Sequence, residues 1–155
     1  MSLSAPLTAK SSNHRNGSFT LAAMPGVIMV FPRGSWSMSC TRDYMSKIVA
    51  LRQQAGIKKF ICVVDSSKWE LGTPAVLEAL ADFNAHAERE GMVGQWLIDH
   101  SGSAVTTQIL IKALKKNVSA VEVVKDIQTC LENAGAIVTL DNKEEIIRVY
   151  QQHVT

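Results

Sequence analysis

The sequence predicts a mixed α/β domain built on a largely parallel sheet of about five strands. Short apolar runs alternate along the chain with stretches in which apolar residues recur every three or four positions. One of these runs, 60–64, is apolar at every position, which is typical of a strand buried on both faces. Before the first helix, Pro25-Gly26 separates two strand patterns, which predicts an N-terminal β-hairpin.

The strands are predicted from apolar runs that end in turn residues. The hairpin strands flank Pro25-Gly26, and the other three strands each precede a segment with helical periodicity, which predicts βαβ crossovers. The element order is therefore β-β-α-β-α-β-α-β-α-α. The predicted strands are 19–24, 27–31, 60–64, 95–98 and 120–124.

The helices are predicted from their apolar stripes together with residues that suit helix ends. Hydroxyl and carboxylate side chains precede each stripe and can accept from free backbone N–H groups. Glycine follows three of the stripes, where a helix commonly ends. The predicted N-caps are Thr41, Thr73, Ser103, Asp126 and Asp141, and the closing glycines are Gly56, Gly91 and Gly135.

Composition is that of one packed domain. Of the 155 residues, 46% are hydrophobic and 19% charged, which excludes an intrinsically disordered protein. Residues 1–17 lack periodicity and are predicted to be a flexible leader, so that 18–155 form a single α/β domain. No apolar run approaches the ~20 residues that span a bilayer, and no signal peptide is present, so a cytoplasmic protein is expected.

Charge and motif content exclude several classes of partner. The net charge of +2 gives no strong field for nucleic acid or anionic lipid. The three cysteines and four histidines are too scattered for a disulfide framework or a metal site, and no nucleotide-binding motif occurs. We therefore predict no metal, no cofactor and no nucleic-acid partner. The edge strand of the hairpin makes a homodimer the expected oligomer.

The segment 60–80 carries a family resemblance. A buried strand ends in Asp65, a short loop follows at 66–72, and Thr73 opens the next helix. In this segment, and in element order over 18–134, the chain resembles a divergent STAS domain (sulfate transporter and anti-sigma-factor antagonist). The resemblance implies a STAS-like α/β fold and a non-enzymatic regulatory or protein-binding function.

The resemblance also implies candidate phosphoacceptors. STAS domains that act as phosphorylation switches carry an Asp-Ser-Ser-Gly-type run at the helix start, where this chain has Leu71-Gly72-Thr73-Pro74. The aligned hydroxyl is therefore Thr73, although the preceding Asp is missing. Ser66 and Ser67 lie several residues earlier, at the strand end, and are the alternatives.

Two polar loops are the candidate binding surface. They follow the strands 60–64 and 95–98, and ligands of open α/β sheets bind at the carboxyl ends of strands. The second loop precedes a helix whose free N–H groups can bind an anion, although Ser103 could simply cap that helix. Trp69 could anchor a partner or fold back onto the core. The residues assigned to this partner or ligand loop are Asp65, Trp69, Asp99, His100, Ser101 and Ser103.

Two alternatives to a regulatory module remain. The first is a binding protein for a small ligand, either a lipid or an anionic metabolite. The second is a small hydrolase that uses Asp65, His100 and Ser101. Neighbours in an extended chain point to opposite sides, so this set works only if Asp65 faces His100 from the other loop. Because the Gly-x-Ser-x-Gly pattern is absent, no catalytic residue is assigned.

Overall fold

A computed structural model of the chain describes residues 6–100, 105–115 and 120–154. Within these ranges it contains one seven-stranded sheet and five helices, none of which is long and apolar enough to cross a membrane. The strands are β1 Leu7–Lys10, β2 Gly17–Met24, β3 Val27–Trp36, β4 Phe60–Asp65, β5 Trp69–Gly72, β6 Met92–Ile98 and β7 Val121–Val124. The helices are α1 Met38–Ala55, α2 Pro74–Arg89, α3 Val105–Leu114, α4 Ile127–Ala134 and α5 Lys143–Val154.

The sheet has the strand order β1-β2-β3-β4-β6-β7, and β5 pairs with β3 outside this path. Strands β1 and β2 are antiparallel to their neighbours, whereas β3, β4, β6 and β7 are mutually parallel. The crossovers through α1, α2 and α3 all step the same way along the sheet. Because such crossovers share one hand, these three helices cover the same face. Helices α4 and α5 cover the opposite face, so the sheet is the middle layer of three.

Strand β4 shows how the sheet divides the core. Its alternate residues Phe60, Cys62 and Val64 pack beneath α1, α2 and α3, while Ile61 and Val63 pack beneath α4 and α5. All of its residues are buried. The uninterrupted apolar run in the sequence is therefore explained by a strand that has a hydrophobic layer on each side.

The mixed α/β class and the N-terminal hairpin are confirmed, but the sheet is larger than the predicted five strands. The first additional strand, β1, lies within the segment predicted as a flexible leader. Leu7–Lys10 pairs with β2, and the following residues bind α1: the Asp43 carboxylate accepts from Ser12 N at 2.8 Å and lies 2.7 Å from His14 Nε2. Four residues of mixed polarity carry too little periodicity to reveal this strand in the sequence.

The second additional strand, β5, lies in the predicted loop 66–72. It forms because β3 does not end at Phe31 but continues to Trp36. Along one edge, β3 pairs first with β4, as far as Val30 opposite Val64, and then with β5, from Gly34 opposite Trp69. We call this the partner change of β3. It accommodates Pro32, which has no N–H to donate to a neighbouring strand.

Helix ends agree with the predicted caps at two positions and differ at two. Thr73 and Asp126 cap α2 and α4, as predicted. Helix α1 begins earlier than predicted, with Ser37 as its N-cap, and Thr41 is buried inside it. Helix α5 begins at Lys143, two residues after the predicted cap Asp141. Ser103, the other predicted cap, lies outside the described residues.

The connection from α2 to β6 yields a first prediction. Gly91 has φ +129, and a Cβ there would lie 1.9 Å from the Lys58 carbonyl oxygen. Gly91→Ala should therefore lower the free energy of unfolding by about 3 kcal/mol, measured by urea denaturation. Gly56→Ala is the matched control, because Gly56 has φ +67 with no atom within 4 Å of the added Cβ. Gly56→Ala should lower the free energy of unfolding by only about 1 kcal/mol, and equal losses in the two variants would contradict the steric explanation.

Asp43 yields a second prediction, about the attachment of β1. Burial raises the pKa of Asp43, but hydrogen bonds from His14, Ser12 and Lys47 outweigh it and hold the pKa below the ordinary 3.8. A carboxyl group whose pKa is lower in the folded state stabilises the fold above its unfolded-state pKa. This stabilisation is lost as the pH falls through the folded-state pKa. Asp43→Asn should speed amide hydrogen exchange in β1 at pH 7, whereas Glu78→Gln, exposed on α2, should not. Unchanged exchange in both variants would show that Asp43 does not anchor β1.

Candidate functional site

The partner change of β3 opens a cavity at the carboxyl ends of β4 and β6. Between the last pair with β4 and the first pair with β5, residues 31–33 of β3 face the connection 65–68. The cavity has a volume of about 140 Å³, and we call it the carboxyl-edge pocket. Its polar lining is Arg33, Asp65, Ser67, Lys68, His100 and His153, and its apolar lining is Phe31, Pro32 and Val154.

Asp65 is the central acidic group of this pocket. It is the last residue of β4 and is only 7% exposed. A carboxylate at this depth is costly unless hydrogen bonds replace its hydration. One oxygen, Oδ1, accepts from the Ser67 backbone N–H at 3.0 Å, and the other, Oδ2, accepts from the Tyr150 hydroxyl. Asp65 thus joins the β4–β5 connection to helix α5.

Tyr150 is almost fully buried and serves as the donor to Asp65. Burial, followed by the hydrogen bond to Asp65, raises the pKa of Tyr150 well above its ordinary value of 10. The phenol therefore keeps its proton at neutral pH and directs it to the Asp65 carboxylate. The oxygen of Tyr150 remains able to accept one further hydrogen bond.

His100 donates this further hydrogen bond to the Tyr150 oxygen. It follows β6 by two residues, its side chain is half exposed, and its Nε2 lies 3.1 Å from the Tyr150 oxygen and 3.4 Å from Asp65 Oδ2. Both oxygens are acceptors, so the neutral ring carries its hydrogen on Nε2 and has an acceptor lone pair on Nδ1. Asp65 and His100, which would have to face each other in a hydrolase, are thus in contact.

His153 is held in a similar way by α5. Its Nδ1 lies 2.9 Å from the Val149 carbonyl oxygen, which can only accept, so Nδ1 carries the hydrogen. Its ring stacks on Phe31 with 5.0 Å between centroids. Each of these two histidines thus has one ring nitrogen bound to the protein.

Arg33 and Lys68 supply permanent positive charge. Arg33 lies on β3 between the residues that pair with β4 and those that pair with β5. Lys68 directly precedes β5, and its carbonyl oxygen accepts from Gly34 N at 3.0 Å. Among the described residues of the lining, Asp65 is the one carboxylate, and it already accepts two hydrogen bonds. The lining therefore has more cationic than anionic groups, which favours an anionic ligand.

The predicted phosphoacceptors differ in accessibility. Ser66 is buried, and its Oγ lies 3.0 Å from the Ile98 carbonyl oxygen and 3.1 Å from Thr107 Oγ1, so its hydroxyl is used inside the protein. Ser67 is exposed and lines the carboxyl-edge pocket. Thr73 is exposed as the N-cap of α2, where Oγ1 accepts from Val76 N at 3.4 Å.

Of the remaining predicted loop residues, the two that the structure describes are both buried. Trp69 is buried on β5, with its ring centroid 5.0 Å from that of Trp36, so it folds onto the core rather than standing out as an anchor. Asp99 is also buried, and its backbone N–H donates to the Val124 carbonyl oxygen at 2.9 Å. Ser101 and Ser103 lie outside the described residues.

Sequence patterns do not single out three residues of the pocket lining, Arg33, Lys68 and His153, or Tyr150, which binds Asp65 and His100. In the sequence, Tyr150 follows Ile146 and Val149 at helical spacing, which indicates only a buried face of α5. Its partner Asp65 is 85 positions away, and no local spacing connects the two. Only the packing of α5 across the sheet could reveal the cluster.

Metal and thiol chemistry receive no support from the described residues. Among them, no group of three or more His, Cys, Asp or Glu side chains could hold a metal ion. Cys40, Cys62 and Cys130 are all buried and unpaired. Burial, with a smaller contribution from Asp43, raises the pKa of Cys40 to about 11, so this thiol is not activated by the start of α1.

Comparison with known proteins assigns no family to this arrangement. No family model matches the chain, and no curated protein matches it. The resemblance to STAS domains therefore stays a prediction from the segment 60–80 and the order of elements. The function of the carboxyl-edge pocket has to be inferred from its own residues.

Proposed function

We propose that the protein is a non-enzymatic binding module that holds a small anion in the carboxyl-edge pocket. The observation that carries this proposal is the convergence of Arg33, Lys68, His100 and His153 on one cavity, from four separate parts of the chain. Charge-assisted hydrogen bonds from such groups are the strongest that a protein offers an anion. Of the two ligands considered from the sequence, this favours an anionic metabolite over a lipid.

The size of the pocket supports the same choice. Pockets that enclose drug-sized ligands usually have volumes of roughly 300 Å³ or more. At about 140 Å³, the carboxyl-edge pocket can enclose a compact charged group but no acyl chain. The rest of a larger ligand would extend from the mouth of the pocket into solvent.

The first test removes one pocket cation. Lys68→Gln should weaken binding of inorganic phosphate about tenfold, because one charge-assisted hydrogen bond is lost. Binding can be followed by isothermal titration calorimetry at constant ionic strength. Lys59→Gln is the matched control: Lys59 is exposed and lines a different groove, with Pro25 and Gly56. No phosphate binding by the unmodified protein, or equal losses in both variants, would refute the pocket as an anion site.

A regulatory, protein-binding role of STAS type is the second candidate. It is favoured by the exposure of Thr73 at the N-terminus of α2, beside the loop where the resemblance expects a phosphoacceptor. A phosphoryl group there would add nearly two negative charges next to the positive end of the helix dipole. A protein partner that recognises this helix start would then distinguish the two forms.

Substitutions at Thr73 test this second role. Thr73→Ala should cost about 0.5 kcal/mol of unfolding free energy, because its cap hydrogen bond is long, and Thr73→Ser should cost almost nothing. Thr73→Glu should change which proteins are retained by the immobilised chain from a lysate of the source cells, while Thr73→Ser should not. Identical retention by all three variants would remove the support for a switch at Thr73.

A further inference from the structure

The pocket histidines bear on which anion binds and how its binding depends on pH. In the neutral state, His100 Nδ1 and His153 Nε2 each carry a lone pair, because the other nitrogen of each ring donates to the protein. Lone pairs repel the oxygen atoms of a fully deprotonated anion. A proton added to either nitrogen converts an acceptor into a charged donor.

The surroundings of His100 favour adding that proton when an anion is present. Asp65 lies 3.4 Å from its Nε2, and Asp126, the N-cap of α4, interacts with it electrostatically. Tyr150 stays a neutral phenol and accepts from Nε2. Arg33 and Lys68 oppose a further positive charge while the pocket is empty, together with any charge on His153. An anion between these cations would offset that repulsion, so anion binding and protonation of His100 should assist each other.

The number of donors also bears on the shape of the ligand. Arg33, Lys68, His100 and His153 all line one small cavity, so several donors can reach the same ligand. A carboxylate is planar and presents only two oxygens. A phosphate monoester presents three charged oxygens, and its ester oxygen can connect them to the rest of the ligand outside the mouth of the pocket. A tetrahedral oxyanion therefore satisfies more of the donors than a carboxylate can.

We propose that the carboxyl-edge pocket binds the dianionic group of a small phosphate monoester, and that His100 takes up a proton as the ligand binds. This proposal rests on the proposed anion site and adds its ligand class and its dependence on pH. Sulfate is a suitable probe because it has the same tetrahedral shape and stays a dianion between pH 6 and 8. Any proton taken up when sulfate binds must therefore bind to the protein and not to the ligand.

The experiment is calorimetric titration of the full chain with sulfate, methyl phosphate and acetate at constant ionic strength. Performed in two buffers of different ionisation enthalpy, it also counts the protons taken up. We expect up to about one proton per sulfate and, by linkage, an affinity that falls by up to about tenfold per unit rise in pH. Acetate should bind at least about tenfold more weakly than methyl phosphate, because it leaves donors unpaired.

Two variants separate a protonation role from a purely structural one. His100→Gln keeps a side-chain donor for Tyr150 but cannot gain a proton, so sulfate binding should become weaker and less dependent on pH. His86→Gln is the matched control, since His86 is an exposed histidine on α2 that pairs with Glu90. In the unmodified protein, the ring signals of His100 in nitrogen-15 NMR should shift from the neutral Nε2–H form to imidazolium when sulfate is added.

The outcomes distinguish this inference from the function on which it rests. Absence of binding by sulfate and methyl phosphate alike would overturn the anion site itself. Sulfate binding without proton uptake, or with the same pH dependence in His100→Gln, would overturn the role of His100 while leaving the anion site intact. Acetate binding as tight as that of methyl phosphate would overturn the assignment to a phosphate monoester.

Discussion

The structure around the pocket depends on the partner change of β3. A strand that continues for ten residues would normally keep one neighbour along each edge, but here β4 gives way to β5 after Val64. Backbone groups at such a break need other partners, and Gly34 N finds one in the Lys68 carbonyl oxygen. The connection 65–68 is thereby held away from residues 31–33 of β3. The resulting gap is lined by side chains from both segments, and it is the cavity where we propose that an anion binds.

Asp65 positions the polar side chains around this gap in the sheet. As the last residue of β4 it is buried, so protein donors must replace most of its hydration. Ser67 and Tyr150 do so, and because the Tyr150 proton is committed to Asp65, its oxygen is left to orient His100. The pairing of the buried Asp65 carboxylate with Tyr150 thus also determines which ring nitrogen of His100 carries the hydrogen.

Sequence patterns predicted those parts of the fold that follow from local physics. The hairpin at Pro25-Gly26, the buried strand β4 and the caps Thr73 and Asp126 each express a turn preference, an apolar run or a capping side chain within a few residues. The strands β1 and β5 were not predicted because each has four residues of which only two are apolar, whereas the equally short β7 has three valines. Such short segments become strands only when a longer neighbour, β2 or β3, offers a free edge.

By itself, the sequence determined a mixed α/β core, the hairpin, and a polar edge at the carboxyl ends of the strands that includes Asp65 and His100. Only the tertiary structure decided that these two residues meet, and that Tyr150 and His153 join them from α5. The reason is distance along the chain. Periodicity reports which face of an element is buried, but not which remote element covers it. The packing of α5 across the sheet is what brings a core tyrosine and an isolated histidine into one pocket.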